Sequence, residues 1–141
     1  MPGPASGGFN PCFNFASPPS QAGPNTIIAF SVTATFTGTF TGSSIGTELD
    51  VIHPDGSITF EGSGVFTGSV GGKSGTFLFT YTGTGSAVNG SESAHFVGRQ
   101  GSGDLTGVYT EGTFQGNLVP ASGGCAVSGA GSYLGQILSA L

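Results

Sequence analysis

Seven carboxylates, two basic side chains, two histidines and three tyrosines carry nearly all the acid, base and charge that 141 residues offer. In "VYTEGTF" a two-residue period sets Tyr109, Glu111 and Thr113 on one face of a strand and Val108, Thr110 and Phe114 on the other. His95, between Ser93 and Val97, lies on a nearby strand. If Glu111, His95 and Tyr109 face an apolar cavity, burial raises the carboxyl's pKa. It then serves as general base and His95 or Tyr109 as acid, as an isomerase or cyclase requires. If they face outward, as alternation favours, they are a solvated surface.

Glu48 and Asp50, two apart, share a strand face opposite Leu49, Val51 and His53. Paired carboxylates bind metal or exchange protons; the plainer reading is an edge strand's solvent face. Arg99 and Lys73, the two permanent cations, sit in glycine-rich turns, and Arg99 has Asp104 or a ligand carboxylate as candidate partners. His53-Pro54-Asp55 reads as a turn. Gly72-Lys73-Ser74 mimics the end of a phosphate loop, but Gly68 is one residue too close and "TFLFTYT" is a strand sequence, not a helix start. No serine elbow or Cys-His pair offers a nucleophile. Two irregularly spaced histidines predict no metal site, and no cofactor is expected. Asn89-Gly90-Ser91 is formally a glycosylation acceptor and reads as a turn.

A net charge of −5 with two basic residues excludes a nucleic-acid face. No apolar run exceeds four residues, so no membrane-spanning helix is expected. Twenty-eight glycines, abundant Thr and 12 phenylalanines indicate sheet. The chain fits one domain. Cys12 and Cys125 are either one disulfide or two unpaired thiols. "MPGPASGGFNP" has no signal-peptide pattern. Few lysines, the cysteine pair and a Thr/Ser/Gly surface point to a secreted or extracytoplasmic chain, a cytoplasmic protein being the alternative.

Residues 1–25 hold six of eight prolines and read as an N-terminal arm, its first twenty or so residues disordered and part of it packed through Phe9, Phe13 or Phe15. Residues 26–141 form the β domain. Ile28, Phe30, Val32, Ala34, Phe36 and Phe40 share one face of a long strand ended by Gly42-Ser43-Ser44. Hairpins are expected at Pro54-Asp55-Gly56, Gly71-Gly72 and Asn89-Gly90. Ile58, Phe60, Phe66 and Val70 share one strand face, and Phe77, Phe79 and Tyr81 another. "SESAHFV" is a short strand, "GRQGSGDLTG" a connection, "VYTEGTFQG" another strand, and "CAVSGAGSYLGQIL" a last strand, although "LGQILSAL" also passes for a helical turn or two. Seven or eight strands leave a sandwich or a barrel.

"GSGVFTGSVGGKSGTFLFTYTGTG" and "GRQGSGDLTGVYTEGTFQG" resemble an uncharacterised bacterial family of small β-barrel proteins related to the allene oxide cyclase barrel, over roughly residues 28 to 116. The resemblance implies an all-β fold, a single antiparallel barrel of about eight strands with an apolar lumen, often oligomeric, and brings no catalytic motif.

Two functions follow. One is a small-molecule-binding barrel, an isomerase or cyclase in its enzymatic form, holding an apolar ligand against Phe60, Phe66, Phe77, Phe79, Tyr81 and Arg99. It needs an open pocket of about 300 Å³ or more. The other is a non-enzymatic secreted structural or self-assembling module with a packed lumen and a homo-oligomeric arm contact.

Overall fold

The structure, a computed structural model, describes residues 2–139. It is built from strands β1 (Gly3–Phe15), β2 (Ser20–Ala22), β3 (Asn25–Gly38), β4 (Phe40–Ile52), β5 (Ser57–Val70), β6 (Lys73–Ser86), β7 (Ser91–Gly103), β8 (Thr110–Val119) and β9 (Val127–Ile137). Strands β3 to β9 form an antiparallel meander in chain order, and β1 closes it by pairing with both β9 and β3. The result is an eight-stranded barrel, with the three-residue β2 added to β3 beyond the end of β1.

Alternation explains the walls. On β3 and β4 even-numbered residues point in, among them Phe30, Ala34, Phe40 and Ser44, while hydroxyl-rich odd positions such as Thr35, Thr41 and Thr47 are exposed. On β5, Phe60, Phe66 and Val70 point in, with Gly62 and Gly64 between Phe60 and Phe66. Those glycines make room for a neighbour: a Cβ on Gly62 would strike the Tyr81 ring, and one on Gly64 would lie 2.7 Å from the tip of Phe79. No helix is present that could cross a membrane, among the described residues.

One end is closed. The loop between β7 and β8 folds Leu105 and Val108 into the barrel beneath Phe66, Phe77, Val70 and Ile137. Backbone bonds from Asp104 N to Ser74 O and from Leu138 N to Tyr109 O stitch the loop to the rim. Tyr133 pins the same end, its hydroxyl donating to Thr37 O at 2.7 Å and accepting from Phe40 N at 2.9 Å.

Several expectations need correction. The N-terminal segment is neither a disordered arm nor separate from the barrel: residues 7–15 pair with β3, and residues 3–9 and 12–13 with β9. Its prolines are tolerated because each faces a gap in a ladder. Pro4 precedes the start of the β1–β3 pairing, and Pro11 falls where the β1–β9 register skips. The expected long strand turns at Gly38 (φ 98°) and Thr39, so Gly42-Ser43-Ser44 lies inside β4. The "GRQGSG" stretch extends β7, with a local irregularity at Gln100 (φ 58°); of the two readings of the C-terminal segment the strand holds, as β9, with residues 140–141 outside the described ones. Gly71 and Gly72, at φ 56° and 87°, form the tight β5–β6 turn, as their sequence requires, and leave no phosphate loop.

Cys12 and Cys125 form a disulfide, Cα atoms 5.4 Å apart, that ties β1 to the β8–β9 connection across 113 positions.

Candidate functional site

The lumen narrows to a cavity of about 110 Å³ walled by aromatic rings. Its wall includes Phe66, stacked at an angle 4.9 Å from Phe77, and Phe114, edge-on to Phe9 at 5.0 Å and to Tyr81 at 5.5 Å. The volume falls short of the 300 Å³ expected, because phenylalanines from around the eight-stranded wall fill most of the interior. A cavity of roughly 150 Å³ holds benzene in another protein, so the space here suits a body no larger than one ring.

Toward the other end the wall turns acidic. Glu48 and Asp50 on β4, and Glu92 on β7, occupy the inward phase of their strands. Glu48 is only 6% exposed and Asp50 9%. Tyr81 on β6 donates its hydroxyl to Glu48 Oε1 at 2.7 Å. Glu48 Oε2 and Asp50 Oδ1 receive no hydrogen bond from any donor among the described residues. Burial keeps a proton on the Glu48–Asp50 pair.

Burial, first of all, and then Asp50 push the Glu48 pKa well up, and burial does the same to Asp50. Glu92 rises to about 7, chiefly by desolvation and secondarily by the Asp50 charge. The Tyr81 hydroxyl is held protonated by burial and by Glu48. A protonated carboxyl next to one that titrates near neutrality is the pairing that general acid–base transfer uses. No three His, Cys, Asp or Glu residues are grouped to hold a metal ion, among the described residues.

The earlier candidates separate. Phe66, Phe77, Phe79 and Tyr81 line the cavity, and Phe60 is buried beside Tyr81 with ring centroids 6.2 Å apart. Arg99 is exposed on the outer wall opposite Leu78. The condition set for Glu111, His95 and Tyr109 is not met: they lie on the outer face, with His95 opposite Thr113 and Glu111 opposite Val97, while Thr110 and Phe114 turn inward. Glu48 and Asp50, read as a solvent face, are instead inside. Their shared parity with Phe40 was the available signal, hidden by the supposed break at Gly42. Glu92, two and four residues before Ala94 and Phe96, carried the same unread signal. Asp55 closes its turn by accepting from Ser57 N and Oγ, and Asn89 does likewise for Ser91, so both stretches act as turns.

Residues 13–121 match the family model of DUF3224, described as a protein of unknown function. A solved structure of a DUF3224-family protein of unknown function from Shewanella oneidensis MR-1 superposes with a TM-score of 0.69 at 18% identity, covering 100% of this chain and 99% of that one. At that identity the likeness speaks for the barrel fold alone. No curated protein matches.

Proposed function

Taking as premise that the chain belongs to the DUF3224 family, we propose that it is a small-molecule-binding barrel whose lumen takes an apolar body of about one ring and reads its polar end with Glu48, Asp50 and Glu92. The observation that carries this reading is the junction of two surfaces in one cavity. An aromatic wall meets Glu48, whose Oε2 has no protein donor, and Glu92, with the second donor-less carboxyl, Asp50, two residues from Glu48 on the same strand face. Leaving such groups unmatched costs about 1–3 kcal/mol each, so a fold that keeps them buried has a use for them. The sequence's resemblance to a family related to the allene oxide cyclase barrel favours extending the reading to proton-transfer isomerisation, with Glu92 as base and the Glu48–Tyr81 pair as acid. The Cys12–Cys125 disulfide supports an extracytoplasmic location.

A self-assembling module has its own supporting observation. Ile45, Val65 and Leu78 stand side by side on the outer face of β4, β5 and β6, Ile45 being 67% exposed. A monomeric mass in solution would remove that reading.

The lumen reading is tested by titrating benzyl alcohol into the isotopically labelled protein. Saturable NMR shifts at Ala34, Gly46 and Gly116, with Ile45 and Leu134 unmoved, are the expected result. Shifts confined to the outer wall, or none at all, would reject it.

A further inference from the structure

We propose that the ligand class of this lumen is a small cationic amine, its apolar body among the phenylalanine rings and its ammonium between Glu48, Asp50 and Glu92. The inference rests on the lumen-binding reading above and adds the charge of the ligand. Three carboxyls face inward from β4 and β7, and no basic side chain faces inward with them among the described residues. Lys73 begins β6 beside the β5–β6 turn at the closed end, and Arg99 is exposed outside. The inward positions of β1, β3, β5, β8 and β9 at this level carry no charge, and β6 contributes only Tyr81, whose hydroxyl is already committed to Glu48.

Glu48 and Asp50 are more than nine-tenths buried, and each has an oxygen that no protein donor reaches, although Ser44, Ser63 and Asn117 share the cavity wall. An ammonium brings three donors and no acceptor, the complement of that deficit. The faces of the Tyr81 and Phe rings favour the same charge. A carboxylate or phosphate would meet repulsion, and a neutral hydrocarbon would leave the carboxyls as they were. When the ammonium enters, the proton held by the Glu48–Asp50 pair leaves to solvent, so the charge stays balanced and binding is linked to proton release.

Calorimetric titration of the full chain at pH 7.5 with benzylamine, benzyl alcohol and benzoate separates the cases. Benzylamine is expected to bind about tenfold or more tightly than benzyl alcohol, the equivalent of one charge-assisted hydrogen bond, and benzoate not measurably. The observed heat should vary with the buffer's ionisation enthalpy, reporting the released proton. In Glu92→Gln the preference for benzylamine over benzyl alcohol should shrink. Equal affinity for benzylamine and benzyl alcohol would overturn the amine inference and leave the lumen reading standing. Binding of none of the three would remove both.

Discussion

Glu92 decides what pH does to this protein more openly than any other residue, because its pKa is displaced into the accessible range. Its carboxyl rises from a usual 4.5 to about 7 on folding. A raised pKa means that the folded state holds the proton more tightly than the unfolded chain. The stabilisation is complete below about pH 4.5 and is lost as pH climbs through 7. The sign is thus opposite to that of an ion-paired carboxylate. At about 1.4 kcal/mol per pKa unit, Glu92 alone accounts for roughly 3 kcal/mol over this span. Urea unfolding between pH 4.5 and 7.5 should show stability falling with pH, and Glu92→Gln should make the fall shallower without abolishing it, because Glu48 and Asp50 are raised in the same direction. A wild-type protein that gains stability toward neutrality would contradict the burial of this carboxyl. Tyr81 and Glu48 add a second residue-level dependence. Tyr81→Phe removes the donor to Glu48 Oε1 and should destabilise by about 1–3 kcal/mol, measured by the same unfolding at pH 5.

Among the elements, the β7–β8 loop does the work of a plug. Leu105 is fully buried although it belongs to no strand, and it seals the lumen beneath Phe66 and Phe77. Leu105→Ala should cost about 2–5 kcal/mol in chemical denaturation, the range for a buried leucine whose surroundings cannot collapse. A cost below 1 kcal/mol would mean that the closed end is not packed. Strand periodicity made most elements legible: the Phe77, Phe79, Tyr81 face of β6 and the Gly71-Gly72 turn are written in local sequence. The first strand was not, because Pro4 and Pro11 argue locally against a strand, and their tolerance depends on which neighbour is missing beside each. The acidic pair was misread for a similar reason. A glycine-serine triplet looks like a turn, whereas inside a closed wall Gly42 pairs with Gly68 and the phase runs unbroken from Phe40 to Asp50.

At the scale of the whole molecule, barrel closure depends on β1, and β1 is held by pairing on both sides and by the Cys12–Cys125 bridge. Cross-linking a loop on the order of 100 residues stabilises by about 4–5 kcal/mol in the chain-entropy model. Reduction, or Cys12→Ser with Cys125→Ser, should lower the unfolding midpoint by roughly 10–20 °C in a thermal melt without changing the sheet spectrum. An unchanged midpoint would show that the bridge constrains nothing that the strand ladders do not. The sequence by itself determined the all-β class, the hairpin turns, the apolar phase of most strands and the poverty of charge, since those follow from residue type and a period of two. Only the tertiary structure decided which strands closed the wall and which three carboxyls ended up together inside it. Burial of Glu48, Asp50 and Glu92 is a property of strands brought side by side from distant parts of the chain, and no local pattern carries that distance.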